Sequence, residues 1–146
     1  MIVQTLMATA GTVAFALLFG VPRRYFPFCG IIGGAGWLLY GALSRYVGLT
    51  PTEATFFATV LVILLSRACA VLERCPVTVF LISGIFPLVP GAGIYWTSYY
   101  LVTAQMRLAM SSGFAAMKAA IAIVLGIVFV FEIPNGFFRV LAGKRP

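Results

Sequence analysis

Side chains that could support catalysis are scarce in this chain. Its 146 residues include no histidine, and the only acidic residues are Glu53, Glu73 and Glu132. Nucleophilic and metal-dependent mechanisms need a general base or a set of ligands. The cysteines do not have the spacing of a metal site; they are Cys29, Cys69 and Cys75. We therefore expect no enzyme activity, no bound metal and no cofactor.

The chemistry that the sequence does offer is binding at a helix terminus. Pro87, Pro90, Gly91 and Gly93 interrupt the longest uncharged stretch, residues 75–106. A helix that restarts at Gly91 presents free N–H groups and a partial positive charge, which attract an anionic group such as a carboxylate. Irregular backbone at membrane depth needs protein, water or a ligand to satisfy its polar groups. We therefore predict a substrate site at this break.

The segment after the break is rich in hydroxyl groups. Tyr95, Thr97 and Ser98 lie within two helical turns of its start and could add hydrogen bonds to a substrate. An alternative is that Thr97 and Ser98 bond carbonyls one turn earlier in their own helix, while the tyrosine lies at the membrane interface. The break itself is equally compatible with a proline kink whose polar groups are satisfied by neighbouring helices.

Two charged residues lie inside or beside apolar stretches. Arg67 either extends to the membrane interface or faces the bundle interior, where it could bind a second carboxylate of a substrate. Glu132 is the carboxylate closest to the end of the last apolar stretch. It could serve in proton coupling, or it could lie at the interface near Arg139.

The elements that must position these residues are membrane helices. Hydrophobic residues make up 62% of the chain and charged residues 9%, and the mean hydropathy is +1.09. This composition predicts an all-α integral membrane protein with a single domain and a first helix that is retained rather than cleaved. Apolar runs long enough for a hydrocarbon core of ~30 Å predict five transmembrane helices, the fourth broken at a Pro-x-x-Pro-Gly motif. Their expected bounds are 2–21, 26–44, 51–72, 76–106 interrupted at 87–91, and 114–133.

Local signals refine these helices. Thr50, Pro51 and Glu53 have the types and spacing of a capping box with proline at the first helical position. The residues from Met110 to Gly113 read as a turn. In the second helix, Gly30 and Gly34 form a G-x-x-x-G pair, which favours close packing against another helix.

The basic residues indicate topology. The net charge is +7, but the lysines and arginines are scattered between apolar runs, so we expect no nucleic-acid partner. Six basic residues fall on the side of the first loop, the third loop and the C-terminal tail, and three fall on the opposite side. The positive-inside rule then predicts a cytoplasmic C-terminus.

Three motifs carry a family resemblance: Ser66-Arg67, then Pro76 with Val79-Phe80, then Gly-Ile-x-Pro-Leu-x-Pro-Gly-x-x-x-Tyr from Gly84 to Tyr95. They resemble the threonine/serine exporter (ThrE) family, in particular its small YjjB-like subunits. The resemblance implies a bacterial inner-membrane protein that exports threonine and serine together with a larger YjjP-like subunit. Some paired-subunit members export dicarboxylates such as succinate. The motif does not by itself assign substrate contacts.

The combined expectation is a membrane subunit in a lipid bilayer that helps to export a small polar metabolite, with threonine and serine as substrates. Two alternatives stay open. One is a dicarboxylate exporter, in which Arg67 pairs with the additional carboxylate. The other is a structural or assembly subunit, in which the larger partner alone handles the substrate.

Overall fold

The computed structural model describes residues 1–133 as a bundle of six α-helices joined by short turns. The helices are α1 (Ile2–Leu18), α2 (Phe26–Ala42), α3 (Pro51–Glu73), α4 (Thr78–Ile85), α5 (Gly91–Val102) and α6 (Met106–Phe131). Short 3-10 helices precede α2 at Arg23–Tyr25 and follow α4 at Phe86–Leu88, and a π-helical turn at Leu43–Val47 extends α2. This part of the chain contains no strand, so the all-α prediction is confirmed for it.

Several of these helices are long and apolar enough to cross a membrane. They are the helical segment Arg23–Val47, α3 and α6; α4 with its 3-10 turn and α5 pass the same test only as a pair, bent by 50°. The remaining helix, α1, has 17 residues and a length of about 26 Å at 1.5 Å per residue. The described residues therefore form an integral membrane protein, with three spans or up to four by this test.

Helices α1 and α2 pack through small residues. A Cβ atom at Gly33 would lie 2.0 Å from the Thr12 hydroxyl oxygen, and one at Gly34 would lie 2.4 Å from that of Thr9. Gly30 is similarly close to α1, since its Cβ would lie 3.0 Å from a methyl group of Val13. The glycines that the sequence analysis assigned to close packing therefore lie at the α1–α2 interface.

We expect Gly33→Ala to destabilise the fold by about 1–3 kcal/mol, the usual cost of inserting a methyl group where there is no space. The added Cβ cannot avoid the Thr12 side chain, which is fully buried. Thermal unfolding in detergent measures the effect. Gly11→Ala is the matched control on the facing helix, because a Cβ there meets no atom within 4 Å; equal melting temperatures for the two variants would contradict the prediction.

The start of α3 follows its sequence signals. The Glu53 N–H donates to the Thr50 hydroxyl oxygen at 3.4 Å, and the Thr50 N–H donates to the Glu53 carboxylate at 2.8 Å. With Pro51 at the first helical position, this is the predicted capping box. It confirms the start of α3 and the placement of the loop before it.

The last described helix begins earlier than predicted. We expected a turn at residues 110–113 and a helix from 114, but α6 already begins at Met106, so the predicted turn is wrong. The chain instead reverses after α5, which ends at Val102 rather than at 106, and Ala104 in this turn adopts a left-handed conformation with φ of 57°. Gly113 packs against α5, because a Cβ there would lie 3.3 Å from the Thr97 methyl group.

The other expected bounds differ by a few residues at helix ends. The first helix ends at Leu18 rather than at 21, since Gly20 has a left-handed backbone with φ of 70°. The fourth begins at Thr78 rather than at 76. Residues 134–146, which include the C-terminal tail used for the orientation, lie outside the described part of the chain.

Candidate functional site

The helix break occupies the residues between α4 and α5. Helix α4 ends at Ile85, the chain tightens into the 3-10 turn, Val89 is extended, and α5 begins at Gly91 at 50° to the preceding segment. Pro87 and Pro90 have no N–H, and each clashes with continuation of the preceding helix. The Gly91 N–H donates to the Val89 carbonyl at 2.7 Å, which closes a tight turn around Pro90 before α5.

Two glycines allow the surrounding helices to close around the first half of the break. A Cβ at Gly36 in α2 would lie 2.5 Å from a Val62 methyl group in α3. A Cβ at Gly84 in α4 would lie 2.8 Å from a methyl group of Ile32. Helices α2, α3 and α4 therefore meet beside the 3-10 turn, where Leu88 is buried.

A cavity of about 340 Å³ lies at the break. We call it the break cavity. It is lined by Trp37, Tyr40, Pro51, Thr55, Pro87, Leu88, Val89, Pro90, Gly91, Ala92 and Ala119. Ligand sites have volumes of roughly 300–1,000 Å³ and mostly apolar walls with a few polar groups, and this cavity matches that description.

The polar groups of the break cavity come from three elements. Tyr40 of α2 and Thr55 of α3 contribute hydroxyls; that of Thr55 donates to the Pro51 carbonyl at 2.7 Å, and its oxygen can also accept. The first turn of α5 contributes N–H groups beyond Gly91, because those of a first helical turn have no carbonyl partner within the helix, whereas the Gly91 N–H is bonded to the Val89 carbonyl. The cavity is therefore neutral in its side chains but has a partial positive charge at one end.

Some of the predicted site residues lie at the cavity and others do not. Pro87, Pro90 and Gly91 line it. Gly93 lies at the α5–α6 interface, where its Cβ would be 3.0 Å from that of Ala116. The Tyr95 side chain is 62% exposed on the outer face of α5. The residues from Gly93 onward are thus placed for helix packing or on the outer surface.

Thr97 and Ser98 make the local bonds that we considered as the alternative. The Thr97 hydroxyl donates to the Gly93 carbonyl at 2.7 Å, and the Ser98 hydroxyl donates to the Ile94 carbonyl at 3.1 Å. Such bonds satisfy a hydroxyl within its own helix. A direct role for these two side chains at a substrate stays a prediction that requires them to change partners.

Arg67 lies in the interior of the bundle, away from the break cavity. Its side chain is 7% exposed and donates to the Val130 carbonyl in the last turn of α6, with the guanidinium carbon 5.6 Å from the centre of the Phe131 ring. The carbonyl end of a helix carries a partial negative charge, which a cation stabilises. This geometry favours the interior position over extension to the interface, and it joins α3 to the end of α6.

We expect Arg67→Gln to lower the stability of the protein by about 1.5–3 kcal/mol, the usual value of a hydrogen bond to a charged group. The shorter amide cannot reach the Val130 carbonyl, so the α3–α6 contact weakens. Threonine should remain an exported substrate and succinate should still not be exported, because Arg67 does not line the cavity. Thermal unfolding and efflux assays with threonine and succinate measure the two effects, with the exposed Arg107→Gln as control. Loss of threonine efflux at unchanged stability, or a gain of succinate efflux, would contradict this assignment.

Glu132 is exposed at the C-terminal end of α6. Arg139, its expected neighbour, lies outside the described residues, and proton coupling through Glu132 stays a prediction. Between residues 1 and 133, no three His, Cys, Asp or Glu side chains come together in a way that could hold a metal ion.

The half of the cavity that lies outside the break was not predicted from the sequence. Trp37, Tyr40, Thr55 and Ala119 belong to three other helices. Of the helix that carries Trp37 and Tyr40, the sequence had predicted only close packing at its glycines. Their ring centres are 5.4 Å apart. Two aromatic residues one turn apart in a glycine-rich membrane helix are the signal that could have identified them.

Together, the apolar helices and the bent pair define the described part of this chain as a helical integral membrane protein, with a small cavity at the helix break. The profile described as threonine/serine exporter, ThrE, matches residues 4–133. The chain therefore belongs to the threonine/serine exporter family, whose members are transporters and not enzymes. No solved structure matches the chain.

Proposed function

We propose that this chain is a membrane subunit that exports threonine and serine across the bacterial inner membrane, with the break cavity as part of the substrate site. The observation that carries the proposal is the cavity itself, which places a helix N-terminus, two aromatic rings and two hydroxyls around about 340 Å³ of space. Family membership supports a small-molecule substrate and a position in the bilayer.

The substrate carboxylate binds at the first turn of α5. Gly91 and Ala92 line the cavity at this end. Backbone N–H groups and the helix dipole favour an anion there without a cationic side chain. A half-helix that starts at a break within the membrane is the arrangement that secondary transporters use for this purpose.

The substrate ammonium group binds against the aromatic wall. Carboxylates are absent from the residues lining the break cavity, but Trp37 and Tyr40 provide ring faces that attract a cation, and the carbonyl groups of the break provide acceptors. The Thr55 hydroxyl is available to the substrate hydroxyl that threonine and serine share. The cavity thus offers a binding partner for each charged group of a small zwitterion.

A dicarboxylate is a poorer match to the same cavity. No lysine or arginine lines it, and Arg67 is bonded to the end of α6 instead. A second carboxylate would therefore lose its hydration without a cation to replace the water. The cavity supports an amino acid over succinate.

The larger subunit of the family completes the pathway by packing against the outer surface of α5. This helix buries none of its residues within the described part of the chain and packs chiefly against α6. Its outer surface carries Tyr95, Trp96 and Tyr99, which are all exposed. Aromatic residues of this kind are enriched in protein interfaces, although the lipid interface also accommodates them.

The test is efflux of threonine, serine and succinate from bacterial cells that express this chain alone or with a large subunit of the family. We expect efflux of threonine and serine, but not of succinate, when both proteins are present. Efflux of succinate instead of threonine and serine would show that the proposed substrate is wrong. Absence of efflux, with both proteins shown to be in the membrane, would contradict the transport function and favour an assembly role.

A further inference from the structure

A second concave surface lies beside the break, along α1 and next to Trp37 of α2. It has a volume of about 390 Å³, and we call it the α1 groove. Its lining residues include Val3, Gln4, Gly11, Phe15, Trp37 and Pro87. All of these except Gln4 are apolar or glycine, so the groove has one polar end.

The polar end of the groove carries a cation. The guanidinium of Arg45, on the π-helical turn after α2, donates to the Gln4 side-chain oxygen at 3.4 Å. Both side chains are exposed, and the neighbouring Tyr46 side chain is 80% exposed. An arginine has five N–H donors, more than this bond uses, and its planar fork matches phosphate oxygens.

The length of the groove matches one membrane leaflet. From Gln4 to Phe15 the groove follows α1 for about 16 Å at 1.5 Å per residue. Half of a hydrocarbon core of ~30 Å is about 15 Å. The groove is therefore about as long as an acyl chain within one leaflet, if that chain enters beside Arg45 and runs to Phe15.

We propose that the α1 groove binds an anionic phospholipid, with one acyl chain between Val3 and Phe15 and the headgroup phosphate at Arg45. The apolar walls belong to helices of a membrane protein, and acyl chains are the apolar molecules that surround such helices. The cation at the end of the groove favours a headgroup with net negative charge. This inference does not depend on the proposed substrate or on the direction of transport.

Two substitutions separate the two halves of the site. Arg45→Gln removes the charge of an exposed side chain and leaves the groove intact. Gly11→Leu fills the groove, because a Cβ at Gly11 meets no atom within 4 Å and its backbone is not in the left-handed region. Arg23→Gln is the matched control, an exposed arginine beyond the other end of α1.

Binding is measured by native mass spectrometry of the purified full chain with phosphatidylglycerol or phosphatidylcholine. We expect the wild type to prefer phosphatidylglycerol and Arg45→Gln to bind it about tenfold more weakly, as for loss of one charged hydrogen bond. Arg45→Lys should retain part of the preference. Gly11→Leu should weaken the binding of both lipids equally, and Arg23→Gln should leave the binding of both lipids unchanged.

Three results would overturn the proposal. The first is equal affinity of Arg45→Gln and wild type for phosphatidylglycerol, and the second is undiminished lipid binding by Gly11→Leu. The third is a wild-type protein that forms a dimer instead of a lipid adduct, if Gly11→Leu disrupts that dimer. Because Arg45 is exposed, its substitution tests the headgroup contact even if Gly11→Leu does not fold. Efflux assays report separately on the transport function.

Discussion

Gly91→Leu is expected to lower threonine and serine efflux about ten- to hundredfold. Forcing extra methylene groups into a packed protein core costs about 1–3 kcal/mol, and a steric conflict of that size with the substrate weakens binding about tenfold for every 1.4 kcal/mol. Gly91 lines the break cavity at the first turn of α5, and a Cβ there meets no atom within 4 Å. The leucine side chain can therefore extend into the space assigned to the substrate carboxylate. It also covers the N–H groups that would bind the carboxylate.

The fold should tolerate this substitution. The backbone at Gly91 is not in the left-handed region, and leucine has a higher helix propensity than glycine by about 1 kcal/mol. Efflux from cells gives the rate, and thermal unfolding in detergent gives the stability. Ala120→Leu, on the exposed face of α6 beside the cavity residue Ala119, is the matched control. Efflux by Gly91→Leu at the wild-type rate would exclude the cavity as the substrate site.

Local sequence signals were sufficient to predict the helix ends that depend on residues close by in the chain. The capping box at Thr50 and Glu53 depends on residues three apart, and the structure forms it as predicted. The prolines and glycines of the break likewise act on their own backbone, and α4 and α5 end and begin among them. In each case the physical cause lies within one helical turn of its effect.

The turn between α5 and α6 could not be located in the same way. Ser111, Ser112 and Gly113 are typical turn residues, yet they lie inside α6 because Gly113 is needed for contact with Thr97. The actual reversal uses Ala104 in a left-handed conformation, for which alanine gives no signal. Helix packing here outweighed local preference, and packing partners are not visible in one sequence.

The cavity shows the same limit. Its break half could be predicted from the prolines and Gly91, whereas Tyr40, Thr55 and Ala119 come to it from three other helices. Which faces of α2, α3 and α6 converge depends on glycines that allow close approach, such as Gly36. The hydroxyls of Thr97 and Ser98 are near the break in sequence, but they donate to carbonyls of their own helix instead.

Trp37→Ala is expected to raise the apparent KM for threonine and serine about tenfold, because a cation–π contact in a desolvated site is worth about 1–2 kcal/mol. We expect a second effect, on substrate selectivity, because of where Trp37 lies. Trp37 and Pro87 line both the break cavity and the α1 groove, so the indole forms part of the wall between them. Its removal joins the two spaces, and larger apolar amino acids such as leucine should then compete with threonine.

The two roles of Trp37 are separable by Trp37→Phe, which keeps an aromatic face and part of the wall. We expect it to retain more of the affinity and to exclude leucine better than Trp37→Ala does. Trp96→Ala is the control, since Trp96 is the other tryptophan of the chain and its side chain is 46% exposed on α5. Efflux kinetics with leucine as competitor measure both effects. If Trp37→Ala raised the KM without admitting leucine, the ring would bind the ammonium group but would not divide the cavities; an unchanged KM would remove it from the substrate site.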